Sequence, residues 1–198
     1  MKLIFATKNK GKMKEINNIL AGSALQVISM EEAGFDMDVI EDGETFEQNA
    51  MKKAIEIMKA SGMPVLSDDS GLEVDALDKK PGVYSARFLG ESTPFSEKNK
   101  KILELLKDVS EKERSARFVC VIAAAFPEGR TLTARGELEG QIAFEIKGEH
   151  GFGYDPIVYI PEYGMTVAQM TEELKNEVSH RGKALRMMKE LLERSGVK

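Results

Sequence analysis

Two adjacent carboxylates, Asp68 and Asp69, follow the apolar run at residues 64–67 and lead into Ser70-Gly71. Charge at the end of a buried strand costs free energy unless something compensates it, and a divalent cation or a reacting water would do so. Successive side chains along a strand point to opposite sides, so one of the two carboxylates faces such a site. The same four residues also suit an ordinary turn. A second group lies at residues 7–12. Thr7, Asn9 and Gly11 bring a hydroxyl, an amide and a flexible backbone, and Lys8, Lys10 and Lys12 bring cations. A helical pattern begins directly behind them, so its free N–H groups point back into the loop and favour an anion. The spacing is not that of a P-loop, and a solvated, lysine-rich turn is the alternative.

Three more clusters carry usable chemistry. Glu41-Asp42-Gly43-Glu44 precedes a long helical pattern. Acids at a helix start are ordinary dipole partners, yet Mg2+ sites for phosphate chemistry use one or two carboxylates plus phosphate oxygens. Lys53, inside that helix, is in reach of the same pocket. In Gly151-Phe152-Gly153-Tyr154-Asp155-Pro156, glycines beside an aromatic let a flat ligand approach. A purine would stack on Phe152, with Asp155 accepting from a base N–H; a structural turn around a core aromatic is the alternative. Ser179 has the character of an N-cap, but His180, Arg181 and Lys183 then place positive charge on the positive end of a helix, with Lys175 just upstream. Such local inconsistency marks a functional site or an exposed basic turn. Together the clusters suit a nucleotide whose phosphates meet Mg2+ and lysines while its base sits elsewhere.

The elements that must position these residues are read from periodicity. Residues 3–6 form a short buried strand, and Met13, Ile16, Ile19 and Leu20 share one face of the following helix. Residues 44–61 form a strong helix stopped by Gly62 and Pro64. A strand at 64–67 ends in the acidic pair, and residues 72–77 continue extended. A helix over 94–109 turns Ile102, Leu103, Leu105 and Leu106 inward. Two long strands, 115–126 and 131–144, flank the turn at 127–130, a pair long enough to stand out as a separate lobe. A strand follows at 157–160. Thr166 with Gln169 has the capping-box spacing of a helix start, and a last helix runs from Ser179 to Arg194, with Gly196 beyond it. Helices alternating with strands around a hairpin point to a mixed α/β sheet flanked by helices, in one domain over residues 1–198.

Composition bounds the function. The chain has 198 residues and a net charge of −5, which disfavours nucleic-acid binding by field strength. An anionic ligand must be held by a local basic cluster or through a metal. Cys120 is the one cysteine; in its apolar run it reads as a buried structural thiol, in keeping with a reducing cytoplasm. No stretch approaches the ~20 apolar residues that span a bilayer, and the opening run is too short for a signal peptide.

The chain resembles the inosine triphosphate pyrophosphatase family. The resemblance rests on Phe5-Ala-Thr-Lys-Asn-Lys-Gly-Lys-Met-Lys-Glu15, Glu44-Thr-Phe-Glu-Gln-Asn-Ala50, Ser67-Asp-Asp-Ser-Gly-Leu72, Pro81-Gly-Val-Tyr-Ser-Ala-Arg87, Gly151-Phe-Gly-Tyr-Asp-Pro156 and Ser179-His-Arg-Gly-Lys-Ala-Leu185. These occur in the family's order across nearly the whole chain. The resemblance implies an elongated α/β fold with two lobes and a cleft between them, a homodimer, and Mg2+-dependent cleavage of ITP, dITP and XTP to the monophosphate and pyrophosphate. It implies that Thr7, Lys8, Asn9, Lys10, Gly11 and Lys12 hold the triphosphate, with Lys53 assisting and Ser70 touching the substrate. Asp69 would be general base and metal ligand, with Glu41 or Glu44 as the second ligand and Glu41 favoured. Phe152, Gly153, Tyr154, Asp155, Lys175, His180 and Arg181 would bind the base. A Maf-like pyrophosphatase of pyrimidine or modified nucleotides, and a nucleotide sensor that does not cleave, are the rival functions.

Overall fold

The computed structural model describes residues 2–22 and 25–195. β1 (Lys2–Ala6) is apolar and fully buried from Leu3 to Phe5, as expected of a strand with parallel neighbours on both sides. Those neighbours are β2 (Gln26–Ser29) and β3 (Val65–Val74). Next come β4 (Ser115–Ala125) and β5 (Thr131–Ile142), then the short antiparallel β6 (Val158–Ile160) and β7 (Met165–Thr166). Among the described residues these strands form one mixed sheet in the order β2-β1-β3-β4-β5-β6-β7.

The helices are α1 (Lys10–Leu20), α2 (Phe46–Ser61), α3 (Phe95–Leu105), α4 (Glu172–Val178) and α5 (His180–Arg194). The chain divides into two compact units. One holds the residues up to 69, 120–136 and those from 180 on; the other holds 70–119 and 137–179. The core of the first gathers Leu3, Phe5, Ile16, Leu66, Cys120, Ile122, Leu185 and Met188. That of the second gathers Leu72, Ile102, Leu106, Phe118, Tyr154, Ile157 and Met170.

Several sequence expectations change. The Asp-Asp-Ser-Gly segment is not a turn: β3 runs straight through it to Val74. The central hairpin is no separate lobe, because β4 and β5 lie mid-sheet and each contributes residues to both units. α3 stops at Leu105, which is exposed, while Ile102 and Leu106 are buried. The Thr166–Gln169 capping box is present but opens only a single 3-10 turn, Val167–Gln169. Met170 is extended and buried, so the chain must restart a helix at α4 under a new cap, Thr171. Gly196 lies outside the described residues. No described helix is long and apolar enough to cross a membrane.

Candidate active site

β1 ends at Ala6 and the chain turns at once into α1. Thr7 Oγ1 accepts from the Asn9 N–H at 3.2 Å, and Asn9 Oδ1 accepts from the Gly11 and Lys12 N–H groups at 2.9 and 3.1 Å. Asn9 is thus the N-cap, and two of the N–H groups expected to meet an anion are satisfied by its side chain. The lysines then separate. Lys8 pairs with Asp36 and Asp38 at 2.7 and 2.8 Å. With Thr7 and Lys10 it lines a groove of about 1000 Å3, whose walls include Met13, Ser29 and Asp36 but neither Asp69 nor Glu41. Lys12 turns instead to Asp68 at 2.7 Å.

Asp68 and Asp69, adjacent on β3, have different partners. Asp68 is 0 % exposed and also lies 3.5 Å from an Arg181 nitrogen. Burial alone would raise its pKa, but Lys12, Arg181 and Lys53 outweigh burial and hold it well below the usual carboxylate range. Arg181 is 2 % exposed, and its other terminal nitrogen pairs with Glu15 of α1. Burial opposes its charge, but the nearby carboxylates, Asp68 foremost, raise its pKa above the ordinary value. The basic start of α5 therefore has an electrostatic explanation within the first unit: Arg181 neutralises two carboxylates. Truncating one partner of such a buried pair leaves uncompensated charge, so Arg181→Leu should destabilise the protein by about 3–5 kcal/mol. A urea melt within about 1 kcal/mol of wild type would show that this pairing contributes little to stability.

Asp69 is 6 % exposed and accepts from Asn49 Nδ2 at 3.0 Å. Burial, and then the charge of Glu41, push its pKa up to about 6, against the Asn49 hydrogen bond and the ammonium groups of Lys53 and Lys12. Lys53 pairs with Glu41. Burial acts to lower the Lys53 pKa, but Asp68, Glu41 and Asp69 outweigh it and hold the ammonium above its usual value. Glu41 is half-buried, while Glu44 is exposed and its backbone N–H donates to Gln48. Of the two acids left open by the sequence, Glu41 is the one that acts on Asp69. Ser70, next on β3, is half-buried.

Asn49 lies in one of the stretches that carry the resemblance, but the sequence gives it no role. It lies on the buried face of α2 between Phe46 and Ala50, and an amide on an apolar helical face is the available signal. Gly136 is absent from the sequence reading. A Cβ there would come within 2.2 Å of the His180 carbonyl oxygen and 2.6 Å of the Ala184 nitrogen. Its lack of a side chain lets β5 admit the first turn of α5, where His180 and Arg181 are buried.

The second unit gathers the aromatic loop. Asp155 Oδ2 accepts from the Phe152 N–H at 2.8 Å and from the Lys175 ammonium at 2.7 Å. Lys175 also lies 4.5 Å from the Phe152 ring centroid, a cation–π distance. Gly151 has φ of 75°, and a Cβ there would lie 2.1 Å from Asp155 Oδ2. The Gly153 carbonyl accepts from Asn99 Nδ2 at 3.1 Å. Tyr154 differs from expectation: it is a core residue, its ring edge-on to Phe95 and its hydroxyl donating to the Ser85 carbonyl at 2.9 Å. It anchors the loop from beneath. Asp155 likewise joins its carboxylate to Lys175 and the loop backbone, and the same Lys175 ammonium lies over the Phe152 ring.

Comparison with known proteins identifies the relatives of this chain. A model of the Ham1 family matches residues 3–191. The chain is 53 % identical over 194 residues to a dITP/XTP pyrophosphatase of Desulforamulus reducens, covering 98 % of this chain and 96 % of that one. It is 48 % identical over 197 residues to the dITP/XTP pyrophosphatase of Clostridium perfringens, covering 96 % and 97 %. The solved structure of a HAM1 protein from Coxiella burnetii superposes with a TM-score of 0.89 at 38 % identity, covering 98 % of this chain and 99 % of that one. The chain belongs to the Ham1 family.

Proposed function

We propose that this protein hydrolyses deaminated purine nucleoside triphosphates (dITP, XTP and ITP) to the nucleoside monophosphate and pyrophosphate. The observation that carries the reading is the group in which Lys53 of α2 pairs with Glu41 of the preceding segment while Asn49 of the same helix donates to Asp69 of β3. The relatives' names supply the substrate class.

The donor set suits Mg2+. Among the described residues no three His, Cys, Asp or Glu side chains form a ready-made metal cage. Mg2+ is ordinarily held by one or two carboxylates together with phosphate oxygens and water. Glu41 and Asp69 fit that role, and their mutual repulsion is what a divalent cation relieves. When bound, Mg2+ supplies charge neutralisation on the phosphate oxygens. Asp69 orients a water for attack on the α-phosphorus and takes its proton. Lys53 and Lys12 hold phosphate oxygens, while Asp68, itself beside Arg181, keeps Lys12 in place. Thr7, Asn9 and Gly11 shape the turn that presents Lys12, and Ser70 contacts the substrate.

Base selection is assigned to Phe152, for stacking, and to Lys175 as a donor to the purine 6-carbonyl. Adenine carries an amino group at that position and would leave a buried donor unpaired, which gives large rejection factors. The protein acts as a homodimer in the cytoplasm. Pyrophosphate release measured across dITP, ITP, XTP, GTP, ATP and the pyrimidine triphosphates, with and without Mg2+, tests this. The expected result is a kcat/KM for dITP and XTP at least about 10²-fold above that for ATP. Equal values for all purines would defeat the assignment, a pyrimidine preference would favour a Maf-like activity, and saturable binding without pyrophosphate release would favour a sensor.

A further inference from the structure

We infer that Asn49 is the positioning residue of the site: its side chain ties the Asp69 carboxylate to the acidic segment that carries Glu41. This deepens the function proposed above and rests on it.

Asn49 is 0 % exposed. Nδ2 donates to Asp69 Oδ2 at 3.0 Å, and Oδ1 accepts from the Gly43 N–H at 2.8 Å. One amide therefore spans two segments that must meet: β3, which carries Asp69, and the irregular stretch before α2, which carries Glu41. Asn49 is itself fixed, because its N–H donates to the Thr45 carbonyl at 3.1 Å within the capped first turn of α2. The contact at Gly43 is close. A Cβ on Gly43 would lie 2.8 Å from Asn49 Oδ1 and 2.8 Å from Gln48 Cβ, so glycine is required for the backbone to reach the amide.

The chemistry follows from the direction of the two bonds. A carboxamide offers a donor and an acceptor on one rigid plane. A carboxylate at position 49 has no donor for Asp69, and an aliphatic side chain has neither group. The bond to Asp69 Oδ2 sets the rotation of that carboxylate, and with it the direction in which Oδ1 points. The bond to Gly43 sets how far Glu41 stands from it. Small misplacements at a reacting group cost about 10²-fold in rate, which is the size of effect expected here.

The test uses Asn49→Ala, which removes both bonds, and Asn49→Asp, which keeps the volume and the acceptor for Gly43 but loses the donor. Both are compared with wild type for kcat and KM on dITP at saturating Mg2+, and for Mn2+ binding by electron paramagnetic resonance without nucleotide. Positioning predicts kcat lower by about 10²-fold in both variants with KM within about threefold, and weaker Mn2+ binding in Asn49→Ala. A folded Asn49→Ala with near-wild-type kcat overturns the inference. So does Asn49→Asp with near-wild-type kcat, which decides the matter alone should Asn49→Ala fail to fold. A rise in KM with kcat unchanged also overturns it, since that assigns Asn49 to substrate binding. An inactive wild type would instead defeat the proposed function, leaving the Mn2+ comparison to judge Asn49.

Discussion

Asp69→Asn should lower kcat for dITP by about 10³-fold, within the range for loss of a general base that also serves a metal. The substitution preserves size and planarity, and the new amide can still present an oxygen to Asn49 Nδ2, so the 3.0 Å hydrogen bond has a counterpart in the variant. It removes the basic oxygen and the negative charge. Asp69 is the member of the acidic pair suited to base chemistry, because Asp68 is already neutralised by Lys12 and Arg181. Asp68 has the depressed pKa and Asp69 the raised one. Binding of a non-hydrolysable ITP analogue should stay within a few-fold of wild type, because Lys12 and Lys53 remain. Near-normal turnover in a folded Asp69→Asn protein would remove Asp69 from the mechanism.

Stripping divalent cations with excess EDTA should reduce pyrophosphate release by about 10³-fold or more, given that metal neutralisation of phosphate charge is worth several kcal/mol. Added Mg2+ should restore it. Without the cation, a polyphosphate would face Glu41 and Asp69 with only Lys53 and Lys12 to offset the repulsion. Glu41→Gln refines the assignment. It keeps the side-chain length and an acceptor for Lys53 but loses the charge that helps to push Asp69 upward. The Mg2+ concentration for half-maximal activity should rise about tenfold or more. An unchanged Mg2+ dependence, with a shift in Glu44→Gln instead, would move the second ligand to Glu44. Full activity in EDTA would remove the metal from the mechanism.

Most of the candidate site was legible because its residues are chemically conspicuous and close together in sequence. Lysines crowded at the start of α1, paired acids on a strand and an aromatic between glycines violate local expectations. What stayed hidden was of two kinds. Asn49 and Gly136 are ordinary residue types whose roles depend on a distant segment arriving within hydrogen-bond or van der Waals distance. Arg181 and Tyr154 were conspicuous, but the sequence does not say which neighbours they have. A guanidinium beside a histidine gives no sign of the two carboxylates, Asp68 and Glu15, that lie against it. A tyrosine in a glycine loop, grouped with the base-binding residues by the resemblance, gives no sign that its hydroxyl donates to the Ser85 carbonyl.

Periodicity and breakers determined the helix at 44–61, observed as Phe46–Ser61, the strand character of β1, and the hairpin strands β4 and β5 to within two residues, because these depend on contacts between near neighbours in the chain. Tertiary structure alone decided that β3 continues through four residues that locally favour a turn, since sheet neighbours and the cations on Asp68 offset the cost of an extended acidic strand. It also decided which carboxylate is neutralised and which is left basic, because that depends on the distances of Lys12, Arg181, Glu41 and Asn49 from two side chains one residue apart.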